Sequence, residues 1–228
     1  MKLNSKRTIL VGLAFLSICA FWQMYDSIVP LILTKTFHMN ETFSGAIMAA
    51  DNILALFLLP FFGSVSDKSH TKIGKRMPFI LFGTGCAIIL MNILPLLDNS
   101  YAAQPSGFKT ASFVIVLGLL LVAMGTYRAP AVALMPDVTP KPLRSRANAI
   151  INLMGAVGGI LYLGVAAVLY PNSKTAGVEH VNYQPLFIVV SAIMFVAVAV
   201  LFLTIREPKL TAENQALEKQ HPEWNLAQ

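Results

Sequence analysis

Six long apolar stretches, separated by short polar breaks, dominate the pattern of hydrophobic and polar positions along the chain. They cover approximately residues 8–34, 42–65, 78–98, 110–135, 147–170 and 185–205. A bilayer core is about 30 Å thick, and a helix needs about 20 apolar residues to cross it. The pattern therefore predicts an all-α, polytopic membrane protein, with a bundle of six transmembrane helices in residues 1–205 and a polar, partly helical tail in residues 206–228.

The composition excludes an ordinary soluble fold. Of the 228 residues, 56% are hydrophobic and 12% are charged, and a water-soluble domain of this size cannot bury so much apolar surface in one core. The two cysteines, Cys19 and Cys86, lie within apolar stretches, so we expect neither a disulfide framework nor a metal site. The four histidines are scattered over loops and tail without paired ligand spacing, which argues against an intramembrane enzyme.

The net charge of +6 reports orientation rather than a nucleic-acid partner, because Lys and Arg concentrate on the cytoplasmic side of membrane proteins. With the N-terminus inside, 13 of the 17 basic residues fall in cytoplasmic segments, three fall outside and Arg128 lies within a span. This bias predicts that both termini are cytoplasmic, and we expect the plasma membrane. The basic start also resembles a secretory signal peptide, but the apolar run that follows is too long for one.

Three ionisable residues within the spans are candidates for function, because charge inside a bilayer is costly. Asp26 and Asp51 lie roughly 10–14 Å below the outer edge at 1.5 Å per helical residue. Two carboxylates at one depth would resist being ionised together, so one of them could take up and release a proton. Arg128 lies roughly 15 Å from the height of Asp26. Its guanidinium either holds substrate hydroxyls or a carboxylate from a partner bundle, or forms a structural ion pair between helices.

An aromatic ring lies beside hydrogen-bonding groups in the first span. Trp22 and Asp26 are one helical turn apart, and Gln23 is adjacent to the ring. Sugar sites combine an apolar ring that stacks on the sugar with polar groups that bind its hydroxyls. The alternative is that Trp22 belongs to the aromatic belt at the membrane interface.

Two amide side chains complete the candidates for substrate contact. Asn52 lies in the second span, and Asn152 lies in the fifth. Asn148, Asn152, Gly155 and Gly159 follow spacings of four, three and four, so they share one helix face. This polar and small face either contacts substrate or packs closely against another helix.

The loop between the second and third spans carries a recognisable motif in its sequence GSVSDKSHTKIGKR. Gly63, Asp67, Gly74, Lys75 and Arg76 resemble the G-x-x-x-D-(six residues)-G-[RK]-[RK] signature of the major facilitator superfamily. The resemblance implies a gating loop that forms a charge latch and closes against a partner half in the outward-facing state. The alternative is a solvated basic loop that obeys the positive-inside rule.

Longer segments resemble one branch of that superfamily. Residues 51–67, 75–84 and 133–159 are similar to the glycoside–pentoside–hexuronide cation symporters and the related sucrose–proton carriers. Melibiose-type members carry two coupling carboxylates on the second span, where this chain has Ala55 and Leu59. The departure favours the proton-coupled, sucrose-like members of the branch over a sodium site.

The resemblance implies that the chain is the N-terminal six-helix half of a secondary transporter, with residues 206–228 resembling the start of the central loop. It places Arg128 at the central cavity and implies proton-coupled symport of a glycoside or small sugar, with H+ as coupling cation and no other cofactor. The expected partners are the sugar, membrane lipid and a second six-helix half, from the same gene, a neighbouring chain or a second copy. The alternatives are proton-coupled efflux of a drug-like solute and a non-transporting scaffold.

Overall fold

The chain folds into six long helices in the computed structural model, which describes residues 3–225. They run Ser5–Leu31 (α1), Glu41–Lys68 (α2), Met77–Ala103 (α3), Gly107–Val138 (α4), Arg144–Leu169 (α5) and Gln184–Thr204 (α6). All six are long and apolar enough to cross a membrane, so the predicted all-α fold with six spanning helices is confirmed. The predicted and observed ends differ by one to five residues.

Shorter elements connect and extend these helices. The π-helical segment Ile32–Thr36 continues α1, and the 3-10 turn Lys141–Leu143 precedes α5. A four-residue helix, Asn172–Thr175, lies in the loop before α6. The polar tail forms the helix α7, Glu207–Gln220, and the 3-10 turn Pro222–Asn225 follows it.

The two ends of the bundle are named here by what they hold. The termini face is the end where α1 begins and α6 ends, and it also holds α7 and the loops at 69–76 and 139–143. The opposite face holds the loops at 37–40, 104–106 and 170–183. An even number of spans requires this arrangement, because each helix reverses the direction of the one before it.

Glycines allow α5 and α1 to pack with their backbones close together. A Cβ on Gly158 of α5 would collide with the carbonyl of Leu16 on α1, and one on Gly155 would lie 2.9 Å from the Cys19 sulfur. In lipid, helices commonly associate through close contacts between small residues, because the burial of apolar surface gives no net driving force there. The structure shows which glycines of α5 make this contact. Gly155 and Gly158 make the close contact, whereas a Cβ on Gly159 would meet only the Gln23 side chain, at 3.8 Å.

A buried group of hydroxyls joins α4 to α1. The Tyr127 hydroxyl donates to the carbonyl of Ala14 at 3.0 Å and shares a short hydrogen bond with the Ser17 hydroxyl. The Ser17 hydroxyl lies 2.9 Å from the same carbonyl oxygen, and since each hydroxyl carries one proton, the three contacts share two protons. All three residues are buried, and a polar group inside a bundle needs such partners to offset its desolvation.

The outer surface of the bundle differs from helix to helix. Within α6, every exposed residue except the terminal Thr204 is apolar, as expected of a helix that faces hydrocarbon. In contrast, α1, α2 and α5 expose Asp26, Asn52 and Asn152 respectively. Polar side chains at membrane depth face protein or a water-filled space, so the side formed by α1, α2 and α5 differs in its environment from α6.

Candidate functional site

Three of the predicted residues line one small space, called here the central cavity. Trp22 comes from α1, Asp51 from α2 and Arg128 from α4. The Cζ atom of Arg128 lies 5.6 Å from the centroid of the Trp22 ring, in a cation–π contact. The remaining lining residues are Leu54, Ala55, Leu58, Leu59, Leu121 and Gly125. A cation, a carboxylate and an indole therefore meet within otherwise apolar surroundings.

The central cavity is too small to hold a solute. Its volume is about 20 Å³, which is enough for about one water molecule. Pockets that enclose small organic ligands typically measure about 300–1,000 Å³. The space that α1, α2 and α4 enclose is therefore smaller than such a ligand.

The charges at the central cavity are not neutralised by direct pairing. Among residues 3–225, no ion pair joins Arg128 to Asp26 or Asp51, and the structure does not contain the predicted alternative of an interhelical ion pair at Arg128. Asp51 accepts a hydrogen bond from the backbone N–H of Asn52 at 2.6 Å. A guanidinium and a carboxylate in one apolar cavity are therefore available to a third group.

Trp22 packs inside the bundle. Its ring contacts those of Phe21 and Tyr25, with centroids 5.2 Å and 5.3 Å apart, and its Nε1 is buried without a hydrogen-bond partner. An interfacial belt would place the indole N–H in the headgroup region, so this position does not fit the belt interpretation. Among residues 3–225, the Nε1–H is therefore a donor without a partner.

The other predicted side chains lie around the central cavity rather than in its lining. Gln23 is directed toward α5, with its Oε1 3.8 Å from the Cβ position of Gly159. Asp26, Asn52 and Asn152 are exposed on the surface of the bundle. The sequence thus identified three residues that meet and four that lie apart from them.

The residues at the melibiose-type coupling positions face the central cavity. Ala55 and Leu59 both line it, and Asp51 lies one turn before Ala55 on the same face of α2. A carboxylate therefore occupies this face one turn away from the positions where the melibiose-type carriers keep theirs.

The predicted gating-loop residues form the core of a second group, called here the termini-face cluster. The Arg76 side chain is buried at the start of α3 and bonds to the Asp67 carboxylate and the Ser66 hydroxyl. Its Nε donates to Asp137 at 2.9 Å, and its Nη1 donates to the Gly63 carbonyl at 3.3 Å. Each nitrogen of this guanidinium thus donates to an acceptor on α2 or α4. The planar fork of Arg is suited to binding several acceptors at once.

Lys75 and Gly74 belong to the same cluster. The Lys75 ammonium lies 3.1 Å from Asp137 and 3.8 Å from Asp67. Gly74 has a φ of +124°, which other residues rarely adopt, and a Cβ there would collide with the Glu207 carboxylate. The five predicted residues therefore join a packed network, which differs from a solvated basic loop.

The tail supplies a residue of this cluster that sequence reasoning missed. Glu207, at the start of α7, is 1% exposed. Its carboxylate accepts hydrogen bonds from the backbone N–H groups of Lys75, Arg76 and Met77 at 2.8–2.9 Å. The first N–H groups of a helix lack partners within the helix and carry its positive dipole end, so Glu207 caps α3 from outside it.

Further contacts hold α7 against the bundle. Arg144 of α5 forms a 2.9 Å ion pair with Glu218, and Asn214 donates to the carbonyl of Asp137 at 3.1 Å. Sequence reasoning missed Ser66, Asp137 and Asn214 as well as Glu207. The available signal was a Glu–Pro pair directly after the last span, which is typical of a helix start.

A separate polar group on the opposite face was also missed. Asp98, near the end of α3, is fully buried, and the His180 Nε2 lies 4.0 Å from its Oδ2. The same nitrogen lies 2.9 Å from the Asn99 side-chain oxygen. Burial raises the pKa of Tyr183, and the nearby Asp98 carboxylate adds to that rise. These residues join the loop before α6 to the end of α3.

The fold and the sites define a multi-pass membrane protein with ionisable groups inside its bundle and a charged network at one end. The profile of the Major Facilitator Superfamily matches residues 11–226. The chain therefore belongs to the major facilitator superfamily, as its loop motif predicts.

Similar proteins agree with the predicted branch. The chain is 34% identical over 158 residues to the sucrose transport protein SUC3 of Arabidopsis thaliana, a match of 64% of this chain and 26% of the relative. It is 34% identical over 154 residues to the sucrose transport protein SUT3 of Oryza sativa subsp. indica, covering 61% of this chain and 30% of the relative. It is 25% identical over 186 residues to solute carrier family 45 member 3 of Homo sapiens, covering 80% and 34%. The sucrose-carrier-like branch is thus confirmed, and the matches span about a third or less of the relatives' length.

Proposed function

We propose that the chain supplies one six-helix half of a proton-coupled carrier that takes up a glycoside or small sugar. The observation that carries the proposal is the meeting of Trp22, Asp51 and Arg128 in the central cavity. These are the groups that sugar binding and proton coupling need, inside a chain whose matched relatives are named as sucrose transport proteins. Carriers of this superfamily rock one bundle against another around a site near the bilayer midplane.

Each of the three side chains has a chemical role in this proposal. The Trp22 ring stacks on the apolar face of a sugar ring, and its unpaired Nε1–H binds a hydroxyl. The Arg128 guanidinium binds two hydroxyl oxygens with its fork. Asp51 exchanges the coupling proton, since it shares the face of α2 that lines the central cavity. The second half completes the cavity to the size of a sugar.

The proposed orientation puts the termini face in the cytoplasm of a cell whose plasma membrane holds the carrier. The excess of Lys and Arg in the segments of this face supports it. The termini-face cluster then lies at the cytoplasmic mouth, where it closes against the second half in the outward-facing state. Arg76 and Asp137 hold the cluster in the shape that the second half meets.

Transport by the assembled carrier tests the proposal. The chain is purified with the second half that accompanies it in native membranes and is reconstituted into proteoliposomes with an alkaline interior. We expect labelled sucrose or a related glycoside to accumulate, and a protonophore to abolish the accumulation. Outward pumping of a cationic dye without sugar uptake would favour drug efflux instead, and absence of any flux would favour a scaffold.

Two variants separate the proposed roles. Asp51→Asn should lose accumulation while it keeps sugar counterflow, because binding survives and proton exchange does not. Arg128→Lys should raise the half-saturating sugar concentration about tenfold or more, because the two-point hydrogen bond is lost. Glu213→Gln, in the exposed part of α7, is the control and should behave as the wild type. Full concentrating power in Asp51→Asn would remove that residue from the mechanism.

A further inference from the structure

A groove of about 350 Å³, called here the basic groove, lies at the termini face beside the junction of α6 and α7. One part of its lining is apolar and comes from the α2–α3 loop and the end of α6. The other part is basic. The lining residues are Lys72, Ile73, Phe202, Ile205, Arg206, Pro208 and Lys209.

The three cations of the basic groove have little counter-charge. Lys72, Arg206 and Lys209 are all exposed. Within residues 3–225, Lys209 forms one weak pair with Glu213 at 3.9 Å, and neither Lys72 nor Arg206 forms an ion pair. The adjacent acid, Glu207, is turned inward and is occupied by the N–H groups of α3. An anion in the basic groove would therefore meet three cations that lack strong partners.

The position of the groove matches the level of lipid headgroups. Phe202 lies in the last turn of α6, and Arg206 follows two residues after the helix ends. The exposed surface of α6 above this point is apolar, so the cations lie where hydrocarbon gives way to water. The central cavity is lined by α1, α2 and α4, which places the side that faces a second half away from α6.

We propose that the basic groove binds one anionic phospholipid. Its phosphate lies among Lys72, Arg206 and Lys209, and one acyl chain lies along Ile73 and Phe202. A free phosphate ion would use only the cations, whereas a lipid also covers the two apolar side chains, which are 41% and 40% exposed. Basic pockets at the cytoplasmic end of transmembrane helices commonly bind acidic headgroups.

The bound lipid has a structural consequence. Lys72 belongs to the α2–α3 loop, whereas Arg206 and Lys209 flank Glu207. A headgroup that bridges them holds the start of α7 against the start of α3, which is the contact that Glu207 makes. The lipid therefore stabilises the termini-face cluster from its membrane side.

Lipid retention by the purified carrier tests the proposal. The assembled carrier is exchanged into micelles that contain labelled phosphatidylglycerol or phosphatidylcholine, and bound lipid is counted by native mass spectrometry. The triple variant Lys72→Gln, Arg206→Gln, Lys209→Gln should lose phosphatidylglycerol binding on the order of 100-fold, since each surface cation contributes about tenfold or less. The matched control is Lys6→Gln, Lys68→Gln, Arg146→Gln, which removes the same charge from exposed positions of the same face and should change binding by less than about threefold.

Two further measurements distinguish a phospholipid from a free phosphate ion as the bound anion. Phe202→Ala should weaken phosphatidylglycerol binding about tenfold or less and should leave the cations in place. Inorganic phosphate should not displace the lipid at concentrations that leave the electrostatics of the micelle unchanged. Equal loss in both triple variants, equal retention of phosphatidylcholine and phosphatidylglycerol, or full displacement by phosphate alone would each overturn the proposal. If the triple variant does not fold, Arg206→Gln alone against Arg146→Gln gives the same comparison.

Discussion

Glu207 offers the sharpest test of how the tail stabilises the bundle. Its buried carboxylate accepts hydrogen bonds from the backbone N–H groups of Lys75, Arg76 and Met77, where α3 begins, so Glu207→Ala removes the partner of three donors. A buried unsatisfied donor costs about 1–3 kcal/mol, and an ordinary N-cap replaced by Ala costs about 1 kcal/mol. Three such donors would together cost more than the cap alone, but water that reaches one of them lowers the total cost. We therefore expect a loss of about 3–5 kcal/mol in the free energy of unfolding.

A conservative change divides this effect into its parts. Glu207→Gln keeps one acceptor oxygen for the N–H groups but removes the charge. The variant therefore loses the charge-assisted part of the bonds and the favourable interaction with the helix dipole, together about 1–2 kcal/mol. We therefore expect the free energy of unfolding to fall from the wild type to Glu207→Gln and again to Glu207→Ala. That order indicates an acceptor that acts through both its hydrogen bonds and its charge.

Equilibrium unfolding in mixed micelles, followed by circular dichroism, measures these differences. Glu213→Ala is the control, because Glu213 lies on the same helix, is exposed and has only a 3.9 Å pair with Lys209, worth about 0.5 kcal/mol or less. Protease cleavage within α7 gives a second readout, since release of the cap should free this helix. If Glu207→Ala and Glu213→Ala unfold with equal free energy, the capping argument is refuted.

Three further changes test the packing by the same unfolding measurement. Gly158→Ala places a methyl group against the Leu16 carbonyl and should cost about 3 kcal/mol or more, whereas Gly164→Ala meets nothing within 4 Å and should be neutral or slightly stabilising; equal effects would contradict the helix contact. Gly74→Ala forces a side chain into a φ of +124° and should cost about 2 kcal/mol or more, with wild-type stability as the opposing result. Tyr127→Phe removes the hydroxyl that bonds to α1 and should cost about 1–2 kcal/mol, and no change would mean that the hydroxyl bonds add nothing.

The central cavity shows how far side-chain chemistry can be predicted from sequence. Asp51 and Arg128 were identifiable because ionisable groups inside a span are rare and costly. Their contact with Trp22 was not identifiable, because nominal heights along straight helices ignore the tilt of the helices and the length of the Arg side chain. The direction of the Trp22 ring was not identifiable for the same reason, since depth alone does not say which way a ring points.

In the termini-face cluster, too, some residues could be predicted from sequence and others could not. The loop motif identified five of its residues from spacing, because the positions lie close together in the chain. Glu207 lies 131 positions from Arg76, and its Glu–Pro pair indicates only where α7 begins, not which group the carboxylate contacts. Only the return of the chain to the termini face after α6 brings the carboxylate to the start of α3.

The order of residues is enough to predict the six spans, the family and the residues that carry charge into the membrane. Apolar runs of this length have one stable form in lipid, because every backbone polar group must be satisfied within the helix. Only the packed bundle shows which glycines contact α1, which ring covers Arg128 and which acid caps α3. These depend on the rotation and crossing of whole helices, and packing between residues distant in the chain sets both.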